Sequence, residues 1–66
     1  MKRGTVTWYN RQMGYGYIED KNGKKFIVYE GSIEWDNGRL LERGQRVGFV
    51  AVSDEGEMIA VNVIKN

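Results

Sequence analysis

Four aromatic side chains in the sequence could bind a flat ligand: Trp8, Tyr15, Tyr17 and Tyr29. The face of an aromatic ring stacks on any nucleobase, and each stacked base contributes about 1–3 kcal/mol when tested by alanine substitution. Gly14 and Gly16 flank Tyr15, where they remove side chains beside the rings and permit strong coiling of a strand. This grouping of rings and glycines favours the binding of single-stranded nucleic acid by base stacking.

Strands are the elements that must hold these rings. Short runs rich in β-branched and aromatic residues alternate with Gly, Asn and Asp, and they predict strands over residues 4–10, 15–20, 25–29, about 45–53 and 58–65. Asn22-Gly23 and residues 54–57 predict hairpin turns, with positive φ at both Asn22 and Gly23. The predicted fold class is all-β, a small five-stranded antiparallel barrel with a three-strand meander and a two-strand hairpin.

The connection between the third and fourth strands, residues 30–45, has no sustained periodicity. It contains the turn signal Asp36-Asn37-Gly38 and predicts one helical turn near Ser32 and Ile33. We expect it to cross one end of the barrel. Trp35 lies within it and has two open interpretations, a stacking ring or a lid packed over the barrel end.

Alternation of side chains along each strand assigns the inner and outer faces. Tyr15 and Tyr17 share one face of the second strand, and we expect them outside because a buried tyrosine needs a hydrogen-bond partner. Ile27 and Tyr29 are expected outside on the third strand, with Trp8 beside them on the first, whereas Tyr9 is expected to pack inside. The predicted core consists of Val6, Ile18, Phe26, Val28, Val47, Phe49, Val61 and Val63.

Length and composition limit the functions that the chain can have. Its 66 residues predict one small domain, residues 1–66, and its formal net charge of +1 neither demands nor excludes nucleic acid. The sequence contains no His and no Cys, so we expect no enzyme activity, no metal, no cofactor and no disulfide. The absence of Cys suits the cytoplasm, no membrane span or signal peptide is predicted, and we expect a monomer.

Three segments resemble the bacterial cold-shock proteins, whose domain is a barrel of the OB-fold type. They are Gly-Thr-Val-Thr-Trp-Tyr-Asn at 4–10, Gly-Tyr-Gly-Tyr-Ile at 14–18 and Leu-Glu-x-Gly-Gln-x-Val-x-Phe at 41–49. The resemblance continues through Ala-Val-Asn-Val at 60–63 and covers nearly all of the chain. Gly-Tyr-Gly-Tyr alone also resembles a motif of the RNA-recognition fold, but that fold needs two helices that this sequence does not supply.

The resemblance implies binding of single-stranded RNA and DNA with little sequence preference, in an RNA chaperone or cold-shock regulator. It assigns stacking to Trp8, Tyr15 and Tyr17, and it places Tyr29 where the family usually has His. The chain also departs from the family pattern. Thr7 and Met13 stand where the family usually has Lys. Ile27 and Glu30 stand where it usually has Phe, and Gly38 stands where an aromatic residue is common. Met58-Ile59 replaces the usual Pro-Gln. We therefore predict weaker binding than that of a typical member.

Two further expectations concern charge and partner choice. Arg11, in the loop before the second strand, is the best candidate for a phosphate contact, although an ordinary surface charge explains it equally well. The predicted nucleic-acid-binding residues are thus Trp8, Arg11, Tyr15, Tyr17, Ile27, Tyr29 and Trp35. The alternative function is a protein-interaction module, in which the same patch docks a peptide or self-associates; Met13, Ile27 and Glu30 favour it.

Overall fold

The computed structural model describes residues 1–34 and 41–66, in which five strands form a closed barrel. The strands are β1 (Lys2–Asn10), β2 (Tyr15–Asp20), β3 (Lys25–Tyr29), β4 (Arg46–Asp54) and β5 (Glu57–Lys65), with a 3-10 turn at Glu30–Ser32 after β3. Their order around the barrel is β1-β2-β3-β5-β4. The predicted fold class is confirmed. In detail, the pairs are antiparallel except for β3 with β5, which are parallel at Ile27↔Ile59 and Val28↔Ala60.

A β-bulge at Thr7 explains why Val6 faces the core while Trp8, two residues later on β1, faces outwards. Val6 pairs with Ile18 and Trp8 pairs with Tyr17, so β1 uses two steps where β2 uses one. Strict alternation would place Trp8 on the same face as Val6, and the extra residue reverses that phase. As a result Val6 is 1% exposed in the core, whereas Trp8 is 42% exposed on the outside.

Among residues 1–34 and 41–66, ten apolar residues are buried in the core, including seven of the eight that were predicted. The prediction for Val61 was wrong, because it is half-buried and pairs with Val50 on the outer face. Between Gly48↔Ile64 and Val50↔Val61, β5 advances three residues while β4 advances two. Asn62 lies in this bulge with a φ of 52°, and it shifts the alternation of β5 by one residue.

Three members of this described core were not predicted: Ile33, Leu41 and Ala60. The bulge in β5 places Ala60 inside together with Val63. Ile33 follows the 3-10 turn and forms an isolated parallel bridge with Val63, and Leu41 precedes β4. Both lie in the connection between β3 and β4, where no strand alternation exists to indicate their burial.

The hairpin turn predicted at residues 54–57 is confirmed, whereas the turn between β2 and β3 differs from the prediction. Glu55 and Gly56, with φ of 50° and 85°, form the tight two-residue turn, because Asp54 pairs directly with Glu57. The β2–β3 turn is longer, and within it only Gly23 has a positive φ, of 83°. The expectation of positive φ at Asn22 was therefore wrong. That turn is instead held by the side chain of the residue that precedes it.

Asp20, the last residue of β2, is the buried carboxylate of the described structure. Its Oδ1 accepts hydrogen bonds from the backbone N–H groups of Lys24 and Asn22, both at 2.9 Å. Its Oδ2 lies 3.4 Å from Nζ of Lys2. The Lys24 hydrogen bond is the largest cause that lowers the pKa of Asp20, and the Asn22 bond and Lys2 act in the same direction, against the effect of burial. Asp20 thus joins the turn to β1.

Candidate nucleic-acid interface

The rings of Trp8, Tyr15 and Tyr17 form one cluster on the outer face of β1 and β2. The Trp8 ring centroid lies 5.3 Å from that of Tyr15 and 6.0 Å from that of Tyr17, and the two tyrosine centroids are 6.1 Å apart. Tyr15 meets both neighbours nearly edge-on, at 70° and 80°, whereas Trp8 and Tyr17 are inclined by 31°. Aromatic rings packed edge to face stabilise one another. Trp8 and Tyr17 remain 42% and 37% exposed to solvent.

Strand β3 extends this surface on the side away from β1. Tyr29 pairs with Tyr15 and Ile27 pairs with Tyr17, so both share the outer face with the rings of β2. Tyr29 is 43% exposed and Ile27 is half-buried. We call Trp8, Tyr15, Tyr17, Ile27 and Tyr29 the aromatic patch. The structure therefore brings together five of the seven residues that the sequence predicted for binding.

Gly16 supports the patch from the inner face of β2. It pairs with Tyr9, and a Cβ atom built on it would stand 2.3 Å from the carbonyl oxygen of Trp8 and 2.6 Å from Cδ1 of Tyr9. Tyr9 packs against the core as predicted, and burial raises its pKa, with a smaller contribution from the charge of Glu30. Gly16 thus makes room for Tyr9 beneath the patch and not for a ligand above it.

The loop from β1 to β2 lies at the edge of the patch. The Asn10 side-chain Oδ1 accepts a hydrogen bond from the N–H of Met13 at 2.9 Å, and its backbone carbonyl accepts one from Gly14 at 2.9 Å. Arg11 and Met13 are exposed, Met13 by 69%. Asn10 was not among the predicted functional residues, although an Asn at the start of a turn is a recognised signal for this kind of hydrogen bond. Asn10 positions the loop that presents Arg11 and Met13.

Glu30 places a carboxylate beside the same loop. Its N–H donates to the carbonyl oxygen of Gly14 at 2.9 Å, and its Oε1 lies 3.3 Å from the position that a Cβ atom on Gly14 would occupy. Tyr15 and Tyr29, the sequence neighbours of these two residues, both belong to the patch. An exposed negative charge therefore stands at the border of the aromatic patch.

Trp35, Gly38 and the turn signal at 36–38 lie outside the described residues. Within the described ranges, no cluster of side chains suited to a metal ion is found. No helix among residues 1–34 and 41–66 has the length and apolar character needed to span a membrane.

A concavity of the barrel lies apart from the aromatic patch. An open groove of about 550 Å³ is lined by residues of β1, β2 and β4, together with Lys21 and Asn66. It contains Arg3, Lys21 and Arg46, but also the carboxylates of Glu19 and Asp20. The carboxylates offset part of the positive charge, so the groove is not the basic channel that follows a phosphate backbone. A flat surface with ring faces exposed is instead the form that stacking requires.

Comparison with known proteins agrees with this architecture. The family described as "'Cold-shock' DNA-binding domain" matches residues 2–66. The chain is 38% identical over 65 residues to cold shock protein CspB of Bacillus caldolyticus, covering 98% of both chains. It is 39% identical over 64 residues to cold shock protein 1 of Lactiplantibacillus plantarum, covering 97% of both.

A solved structure described as drosophila Unr CSD456 has the same fold. It superposes with a TM-score of 0.78 at 15% sequence identity. The match covers 98% of this chain and 26% of that chain, so the present barrel corresponds to about a quarter of the larger protein.

Proposed function

The chain belongs to the cold-shock domain family, and from that premise we propose that it binds single-stranded RNA or DNA with low sequence specificity. The observation that supports this proposal most strongly is the cluster of Trp8, Tyr15 and Tyr17, whose centroids lie 5.3 to 6.1 Å apart on one outer face. Every base has a π-face, so stacking on these rings does not require a particular sequence. A duplex hides the faces of its bases and should bind poorly.

The family is one of nucleic-acid-binding domains and not of enzymes, in agreement with the prediction from composition. A protein that binds unpaired strands and not duplexes shifts the pairing equilibrium towards the unpaired form by mass action. This is the physical basis of an RNA chaperone, and it needs no energy source and no catalytic group. We assign the protein this role, and the cytoplasm as its location.

We further propose that binding is weaker than in a family member with the usual cations and rings. Met13 stands in the exposed loop beside the patch and contributes no positive charge. Glu30 adds a negative charge at the border of the patch, and it would repel the phosphates of a strand bound there. Thr7 lies in the bulge next to Trp8 and also carries no charge. Affinity should therefore come mainly from stacking and little from phosphate contacts.

A direct test is a titration of a labelled, pyrimidine-rich single strand followed by fluorescence anisotropy at several salt concentrations. We expect saturable binding to a site of about six or seven nucleotides, with a shallow dependence of log affinity on log salt. Absence of saturable binding at low salt would reject the proposed function. Docking of a peptide on the same patch would then be the remaining interpretation, since exposed Met13 and half-buried Ile27 also suit a protein partner.

A further inference from the structure

An apolar surface unrelated to the core covers the outer face of β4 and β5. Its members are five aliphatic side chains, which we call the apolar stripe: Val50, Val52, Ile59, Val61 and Ile64. Val50 pairs with Val61 and Val52 pairs with Ile59, so these four share one face in two adjacent rows. Val50 and Val52 are 40% and 39% exposed, and the other three are half-buried. The bulge at Asn62 is what turns Val61 outwards into this stripe.

The barrel itself does not require this stripe. Its core is closed by inward residues of the same strands, such as Val47, Phe49 and Val63. Single exposed apolar residues are normal on a protein surface, but a contiguous row on one sheet face commonly marks an interaction site. Met1 enlarges the apolar area, because its sulfur lies over Gly48, 2.7 Å from where a Cβ atom would stand. The stripe is therefore the candidate interaction surface on this side of the barrel.

Charges of opposite sign mark the two ends of the stripe. At one end is the acidic turn, formed by Asp54, Glu55 and Glu57, in which Asp54 and Glu57 face each other directly across the hairpin. Like charges directly opposite destabilise a sheet, so the turn gains from an external cation. At the other end, the basic end consists of Arg46 on β4 and Arg3 on the neighbouring β1. None of these five forms an ion pair with another residue of the described part of the chain.

We propose that the partner is a second copy of this chain, packed stripe to stripe about a two-fold axis perpendicular to the strands. In such an isologous contact each surface meets itself in the opposite direction. The apolar middle of one copy then covers the apolar middle of the other, and each acidic turn meets the basic end of its partner. A complementary partner presents an apolar centre between one acidic and one basic end, with the same distance between the ends as in the stripe. A second copy of the stripe meets this description.

The size of the stripe predicts weak association. Five partly exposed aliphatic residues on each copy bury less than the roughly 1,200–2,000 Å² typical of specific stable interfaces. The free protein should therefore be a monomer at micromolar concentration and pair only towards millimolar concentration. Two copies bound to one long strand reach an effective concentration of about millimolar with respect to each other. Pairing would then make binding to long strands cooperative, a consequence that rests on the proposed function, whereas the pairing itself does not.

The decisive experiment uses charge reversal and mixing, without nucleic acid. The basic-end variant is Arg3→Glu with Arg46→Glu, and the acidic-turn variant is Asp54→Lys with Glu57→Lys. Sedimentation velocity at low salt and rising protein concentration reports the average molar mass. We expect the parent to move towards the dimer mass, each variant alone to remain monomeric, and an equimolar mixture of the two variants to regain the association. The mixture regains association because, in a dimer of one copy of each variant, both contacts between a turn and a basic end again join opposite charges.

Controls separate the stripe from charge alone. Arg11→Glu with Gln12→Glu adds negative charge in the loop between β1 and β2, away from β4 and β5, and should associate like the parent. Val50→Glu, on the exposed centre of the stripe, should abolish association without unfolding the barrel, as circular dichroism would verify. The proposal is overturned if the parent stays monomeric to millimolar concentration, or if the mixture of variants associates no more than either variant alone.

Discussion

The ring of Tyr9 lies against the backbone of Gly16, and the two residues pair across β1 and β2 directly beneath the aromatic patch. A methyl group on Gly16 would meet Cδ1 of Tyr9 at 2.6 Å and the carbonyl oxygen of Trp8 at 2.3 Å. The first neighbour is a ring packed against the core, and the second is backbone, so neither can move without shifting β1. The inner packing and the outer position of Trp8 are thus linked through one glycine.

Gly16→Ala should accordingly destabilise the barrel. Overpacking a filled interior costs about 1–3 kcal/mol, and the contact with backbone places this change at the upper end of that range or above it. Thermal or urea unfolding measures the effect. Gly31→Ala is the matched control, because nothing lies within 4 Å of its Cβ position and its φ is not positive. Equal stability of the two variants would show that β1 and β2 are not packed as described.

Trp8→Ala and Tyr17→Ala should each weaken binding of a single strand by about 1–3 kcal/mol. Both rings are exposed on the outer face, so the free energy of unfolding should change little. Anisotropy titrations with a labelled oligonucleotide measure the affinity, and thermal unfolding of the same samples measures stability.

Tyr9→Ala is the contrasting control for these two variants, since Tyr9 packs against the core beneath them. It should lower stability more than either outer substitution. A large loss of stability in Trp8→Ala would contradict the facing of β1 that the bulge at Thr7 produces.

Met13→Lys should raise affinity, and more so at low salt. Each phosphate neutralised on a single strand contributes about −0.7 to the slope of log affinity against log salt, so one new contact should steepen the slope by about that amount. Asn22→Lys adds the same charge in the β2–β3 turn, away from the patch, and should leave the slope nearly unchanged. If both substitutions steepened the slope equally, the effect would come from net charge and not from a phosphate beside the loop.

The stability of the barrel should fall in acid through Asp20. Its pKa is lowered in the folded protein from 3.8, so the unfolded chain binds its proton first as the pH falls. The contribution of Asp20 is therefore complete above pH 3.8 and is lost as the pH falls through the lowered folded pKa. Urea unfolding across this range should show a smaller acid-induced loss in Asp20→Asn than in the parent. Glu19→Gln, which removes the neighbouring carboxylate, should keep the loss of the parent.

The sequence predicted strand bounds and burial correctly where inward and outward side chains alternate along a strand without interruption. The bounds of β2 and β3 and the burial of Ile18, Phe26 and Val28 followed from residue type and period alone. The error in assigning an inner face arose at the bulge in β5, where one extra residue reverses the faces. Val61 was assigned to the core because nothing in its neighbours signals that Asn62 adopts a φ of 52°.

In the candidate site, too, some positions follow from residue type and others depend on bulges and tertiary contacts. The outward position of Trp8 was predicted from its aromatic neighbours, although period-2 alternation from Val6 would place it inside; the bulge at Thr7 resolves the conflict. Ile33 and Leu41 are buried by tertiary contacts of a connection that has no period of its own. The roles of Arg11 and Trp35 depend on the path of a ligand, which residue types alone do not determine.

The central claim, that the aromatic patch binds bases by stacking, is tested most directly by competition between two forms of one sequence. A short labelled single strand is first bound to the protein. It is then displaced either by an unlabelled strand of about 20 nucleotides or by that strand annealed to its complement. The length of about 20 nucleotides exceeds the expected binding site several-fold, so both competitors can fill it. We predict that the single strand displaces the probe at a concentration at least tenfold lower than the duplex, because only unpaired bases expose their faces to Trp8 and Tyr17. Equal displacement by both forms would contradict the account.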